Sequence, residues 1–371
     1  MTANLNDYLL WRGDLPLQQY PFNEVDCAIL ASVSYLPFER IDLSSLREPL
    51  TLGEASRLLL RAPDIGRAVL LPDDVRLLSL LSECPRFQDA RLVAFASKVD
   101  AASQTQFSAT TIDLGDEALY VAFRGTDETL IGWKEDFNMG LICPVPSQAL
   151  AVDYLNETAQ GMRPLVVCGH SKGGNLAIYA SAFCREDVQA RIRTIYNFDG
   201  PGFTEQVLST EGYARIKPRI QTFLPQFSVV GMLFGNEGRC TIVHSEQVGI
   251  MQHDLFSWDV ERDRFCYLET VNRSSRFVDC TLAAWIDQMD HRQREQFVEG
   301  IYTVLKQTNA RTTKELGDNW FTTVRRALRS LKNLDEPTRR AVVQTLLLLV
   351  KSTREGFSQV VQKPGEPPAG E

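Results

Sequence analysis

A serine set between glycines, at the end of an apolar run and the start of a helix-forming one, is the strongest chemical signal in the chain. Leu165, Val166, Val167 and Cys168 are followed by Gly169-His170-Ser171-Lys172-Gly173-Gly174 and then by Asn175-Leu176-Ala177-Ile178-Tyr179-Ala180. Strand, sharp turn and helix around G-x-S-x-G form a nucleophile elbow, in which the serine hydroxyl stands clear of the sheet. Gly169 and Gly173 are needed there because a Cβ at either position would strike the neighbouring strand or helix. The backbone N–H of Lys172 then opens the helix, where a developing oxyanion is stabilised. A phosphate-cradling P-loop is excluded: it requires G-x-x-x-x-G-K-[ST], and here Lys172 precedes its glycines.

A serine needs a base to take its proton, commonly a histidine oriented by a carboxylate. The chain has four histidines. His170 lies inside the elbow and is expected to point elsewhere on the turn. His244 ends an apolar strand and reads as structural, and His291 falls on the polar face of a later helix. His253, in GIMQHDLFSW, follows the last strand in the order Ser–Asp–His and is the candidate base. Asp199 ends the strand after the nucleophile helix, before a Gly-Pro-Gly turn, at the carboxyl edge where ligands gather in open α/β sheets. It is the candidate acid, with an ordinary turn aspartate as the competing reading. Phe123-Arg124-Gly125-Thr126 follows an earlier strand, so that Gly125 permits close approach and the Thr126 N–H joins that of Lys172 as an oxyanion donor.

The elements that must position these groups read as a mostly parallel α/β sheet. Strands are expected over Arg91–Lys98, Gln106–Asp113, Glu117–Phe123, Arg193–Phe198, Arg219–Leu224 and Arg239–His244, besides the one before Ser171. Helices alternate with them around Leu130–Asn138 and Ser147–Gln160, which implies a sheet covered on both faces. Residues 1–81 read as a helical and loop segment packed on the core, with a helical stripe over Asn23–Leu36 and a capping box at Thr51 and Glu54. Residues 82–277 are expected to form the α/β core and residues 278–360 a helical appendage rich in three- and four-residue apolar spacings. Residues 361–371 are expected from their composition to be a disordered tail. Pro201–Tyr213 and Val229–Gly238 are the segments expected to flap over the site.

Composition narrows the function. Of 371 residues, 44% are apolar and 23% charged, the balance of a globular protein, and a net charge of −8 argues against a nucleic-acid surface. Neither a signal peptide nor a membrane-spanning run is visible. Eight cysteines without C-x-x-C pairing or zinc-like clustering point to a reduced, cytoplasmic setting, with no metal and no cofactor implied.

Taken together, FRGT, the elbow and the late histidine resemble the class 3 lipase group of α/β-hydrolases. FRGTDETLIGWKEDFNM, GHSKGGNLAIYA, YNFDGPGF and QHDLFSW are more similar still to a bacterial, Mbeg-like family related to those lipases. The resemblance implies an α/β-hydrolase fold and a serine hydrolase cleaving a lipid-like ester or thioester through Ser171, with His253 as base. It also implies that Trp133 and Asp136 tie the following helix to the FRGT turn. Class 3 lipases carry their acid one strand beyond Asp199, but the matching stretch FLPQFSVVGML holds Phe227 and Ser228 and no carboxylate. Asp199 is therefore the candidate, unless the site is a Ser–His dyad or an impaired one. Lys172 replaces a lipase leucine, as a charge beside the pocket for an anionic substrate or as a solvated side chain. Two alternatives stand beside the hydrolase: a binding or regulatory module without turnover, and a peripheral membrane or partner-docking protein using the C-terminal helices. Oligomeric state is not legible in the sequence.

Overall fold

The computed structural model describes residues 3–42, 48–100, 102, 105–126, 139, 143–159, 161–228, 230–231, 240–247 and 249–269, together with 336, 339–340 and 342–343. Trp133, Asp136, His291, the helix expected over 130–138, the larger part of the 229–238 segment, most of the 278–360 appendage and the 361–371 tail lie outside the described residues.

β-Branched and aromatic runs form the strands β1 (Arg91–Asp100), β2 (Thr105–Asp113), β3 (Leu119–Phe123), β4 (Leu165–His170), β5 (Ile192–Phe198), β6 (Ile220–Pro225) and β7 (Cys240–Val243). Three short strands follow, β8 (Val260–Glu261), β9 (Arg264–Phe265) and β10 (Tyr267–Leu268). One eight-stranded sheet runs in the order β1-β2-β3-β4-β5-β6-β7-β10, and β8 and β9 pair separately. β3 to β7 are mutually parallel, whereas β1, β2 and β10 are antiparallel to their neighbours. This is an α/β-hydrolase fold, as the motifs imply.

Alternation along each parallel strand sends its side chains into two cores. From β3 and β4, Tyr120, Ala122, Val166 and Cys168 enter one core. Leu119, Val121, Phe123, Leu165 and Val167 enter the other. The first core is closed by the N-terminal helices α1 (Leu5–Arg12), α2 (Glu24–Val33), α3 (Leu52–Leu60), α4 (Ile65–Ala68) and α5 (Pro72–Leu81). The second is closed by α6 (Pro146–Thr158), α7 (Lys172–Phe183), α8 (Glu186–Gln189), α9 (Glu205–Leu208) and α10 (Glu211–Ile216).

The capping box at Thr51 and Glu54 forms, and Asn4 with Asp7 and Asn23 with Asp26 make two more. Asp26 is doubly used: its carboxylate also meets the Arg86 guanidinium at 2.5 and 2.6 Å, both side chains being fully buried. Pro201–Tyr213 does not stand off as a flap. Phe203, Val207 and Tyr213 are buried in the same core as α7, because their apolar spacing folds the segment into α9 and α10.

Candidate active site

The elbow is built by close approach. A Cβ on Gly169 would lie 2.1 Å from the Gly173 carbonyl oxygen, and one on Gly173 would lie 2.0 Å from the Phe123 carbonyl oxygen. Only glycine lets α7 start this near β3 and β4. Ser171 takes φ 57° and ψ −133°, a conformation that costs a non-glycine residue about 1–3 kcal/mol. The turn is fixed on both sides: Ser171 N–H donates to Phe198 O at 2.9 Å, and Gly174 N–H to Ser171 O at 2.9 Å.

Register carries the candidate acid to the candidate nucleophile. His170 pairs with Phe198 in the parallel β4–β5 ladder, so the next residues, Ser171 and Asp199, leave adjacent strand ends together. Asp199 also has a positive φ, 49°. Its carboxylate is buried and fully used. Oδ2 accepts from His253 Nδ1 at 2.6 Å, and Oδ1 accepts from the Ser228 hydroxyl and, at 3.2 Å, from the Gly231 N–H. With Nδ1–H donated to the carboxylate, the other ring nitrogen of His253 carries the lone pair a base requires. His253 is 28% exposed against 1% for Asp199, so the acid is shut in while the imidazole has access to solvent. Among the described residues Ser171 Oγ and His253 make no hydrogen bond to each other; without substrate such bonds are often long or misaligned.

The structure brings the FRGT turn against Ser171. A Cβ on Gly125 would fall 2.6 Å from His170 O and 3.0 Å from Ser171 Cβ, and half-buried Thr126 follows at once. The Lys172 N–H belongs to the first turn of α7, whose amides have no partner within the helix.

Two sequence expectations change, those for Lys172 and His170. The Lys172 side chain neither faces a pocket nor meets solvent: it is buried, and Nζ donates to Gln106 O at 2.8 Å and Gln106 Oε1 at 2.7 Å. Its helix begins against the end of β3, and the four-carbon stem runs into the protein to reach Gln106 on β2. The carboxylate-free stretch after β6 is no gap, because Ser228 there holds Asp199. His170 points at the candidate base: its Nε2 lies 2.7 Å from His253 O, and its Nδ1 lies 3.0 Å from the Tyr35 hydroxyl. Tyr35 and Gly231 carried no sequence signal, since their partners lie far away in the chain. His244 is structural in the sense expected, with Nδ1 against the buried Asp259 carboxylate.

Among the described residues no group of three or more His, Cys, Asp or Glu side chains is placed to hold a metal. No described helix is long and apolar enough to cross a membrane. The seven described cysteines are free thiols.

Compared with known proteins, residues 81–303 match the family model described as Mbeg1-like. No curated protein matches the sequence. Similar solved structures include lipase II from Rhizopus niveus, 13% identical over 68% of this chain and 88% of that one, with a TM-score of 0.39. Another is the Rhizomucor miehei lipase–propeptide complex, 14% identical over 58% of this chain and 66% of that one, with a TM-score of 0.37.

Proposed function

The chain belongs to the Mbeg1-like family, and from the chemistry its elbow holds together we propose that it is a serine hydrolase of carboxylic esters, lipase- or esterase-like. The observation that carries this reading is the juxtaposition, at the carboxyl ends of two adjacent strands, of a strained, elbow-borne Ser171 and a buried Asp199 whose carboxylate holds His253 Nδ1. Thioesters fall within the same chemistry, since the leaving atom alone differs. The reduced cysteines favour a cytoplasmic protein.

In this mechanism His253 Nε2 takes the Ser171 Oγ proton as the oxygen attacks the ester carbonyl carbon. The carbonyl oxygen becomes an oxyanion facing the N–H groups of Lys172 and Thr126. As the tetrahedral intermediate collapses, the bond to the leaving oxygen breaks, and imidazolium His253 returns the proton to it. Water then attacks the acyl-serine with His253 again as base, releasing the acid and restoring Ser171. Asp199 keeps Nδ1 protonated throughout and stabilises the imidazolium.

The test is turnover of short- and medium-chain p-nitrophenyl esters by the wild type and by Ser171→Ala and His253→Ala. The reading predicts hydrolysis by the wild type and a background rate in both variants. Equal rates in all three would refute it.

A further inference from the structure

His170 is not needed as acid, base or nucleophile, yet both nitrogens of its buried ring have a partner within 3.0 Å. The acceptor 2.7 Å from Nε2 is the backbone carbonyl of His253, which cannot donate, so Nε2 carries a hydrogen. Burial first, and then the neighbouring His253, push the His170 pKa well below the ordinary histidine range. The ring is therefore neutral, and Nδ1 must accept; the Tyr35 hydroxyl donates to it at 3.0 Å. A second acceptor near that hydroxyl, His170 O, is farther away at 3.4 Å. The two imidazoles face each other with centroids 4.5 Å apart and planes inclined by 36°. Tyr35 is also wedged at the oxyanion turn, its Oη 2.1 Å from where a Gly125 Cβ would stand.

We propose that His170 is a positioning residue for the base: locked as the Nε2–H tautomer by Tyr35, it grips the His253 backbone and packs at a tilt against the His253 ring. The inference rests on the hydrolase reading and deepens it. Asp199 fixes one edge of the His253 ring, but a single hydrogen bond leaves the ring free to rotate about that contact. The carbonyl bond and the tilted ring contact remove this freedom and hold the 3₁₀ turn Gly249–His253 at a fixed distance from the elbow. The device also makes the N-terminal segment part of the site, because Tyr35 follows α2, outside the 81–303 stretch matched by the family model.

The experiment compares wild type, Ser171→Ala, His170→Phe, His170→Gln and Tyr35→Phe. Fluorophosphonate labelling, kcat and KM on one p-nitrophenyl ester, and thermal midpoint are measured for each. His170→Phe keeps a ring but loses the donor, and it is expected to lower kcat ~10- to 100-fold, the scale of a small misplacement of a reacting group, with KM within about twofold. His170→Gln restores an N–H at the position of Nε2 and is expected to recover most of that loss. Tyr35→Phe removes one hydroxyl, keeps the test open if His170→Phe does not fold, and is expected to lower kcat severalfold at unchanged KM. A labelled wild type with kcat unchanged in Tyr35→Phe and in folded His170→Phe overturns this inference alone. Equal impairment of His170→Phe and His170→Gln also overturns it. An unlabelled wild type overturns the hydrolase reading, and this inference falls with it.

Discussion

Replacing Asp199 by asparagine tests the acid with almost no change of shape, and its outcome can be worked from the contacts. The carboxylate has three donors around it: the Ser228 hydroxyl and Gly231 N–H on Oδ1, and His253 Nδ1–H on Oδ2. An amide has one oxygen and one NH2, so its orientation is decided by whichever donor cannot adapt. The Gly231 N–H can only donate, whereas a hydroxyl rotates and an imidazole changes tautomer. The amide oxygen therefore faces Gly231, and the NH2 faces His253 Nδ1, which must become the acceptor. The ring hydrogen moves to Nε2, the atom that has to receive the Ser171 proton. Asparagine also accepts the positive φ of position 199, so the backbone stays in place. Loss of the correct tautomer in a serine triad costs ~10⁴ in kcat, equivalent to about 5 kcal/mol in the barrier. Acylation is read as the second-order rate of fluorophosphonate labelling and as ester turnover, with a thermal melt to show that the fold persists. A folded Asp199→Asn protein within tenfold of wild type refutes the assignment of Asp199 and leaves a Ser–His dyad.

Other consequences are separable from catalysis. Arg86→Leu strands the buried Asp26 carboxylate beside Tyr8 and is expected to cost about 3–5 kcal/mol in urea unfolding; a loss below about 1 kcal/mol would contradict the packing described. Asp74 is buried and pushed up to about 7 by burial first, with Asp254 and Asp73 adding to it, whereas its unfolded value is near 3.9. Between those values the folded protein holds a proton the unfolded chain has lost, so this group's contribution is full below about pH 4 and is lost as pH rises through about 7. Asp74→Asn is accordingly expected to narrow the gap between melting temperatures at pH 5 and pH 8; parallel curves for variant and wild type would refute this. Lys172→Met removes hydrogen bonds to Gln106 and should lower the melting temperature while leaving the ratio of kcat/KM for anionic and neutral esters within about twofold. A selective loss on anionic esters would return Lys172 to the pocket.

What the sequence disclosed was local. A strand end, two close-approach glycines and a helix start are encoded within ten residues, and so the elbow was legible from Leu165 to Gly174. The long strands declared themselves through β-branched runs, whereas β8, β9 and β10, at two residues each, are too short to leave a pattern. His253 and Asp199 were legible as candidates from chain order, but their 2.6 Å contact depends on pairing across 54 residues. Ser228 read as a missing carboxylate because the sequence does not disclose that its hydroxyl would meet a carboxylate from the neighbouring strand. Lys172 misled for a related reason: a lysine at a helix start is ordinarily solvated, and only the two acceptors of Gln106, across on β2, turn it inward. Tyr35, 135 residues from its partner His170, left no local trace at all.

The central claim is that Ser171 is an activated nucleophile, and intact-protein mass spectrometry after incubation with a fluorophosphonate tests it most directly. The account predicts a single phosphonyl adduct on the wild type, mapped by peptide sequencing to Ser171 and lost in Ser171→Ala. A folded wild type that gains no adduct, or one modified equally in Ser171→Ala, would contradict it.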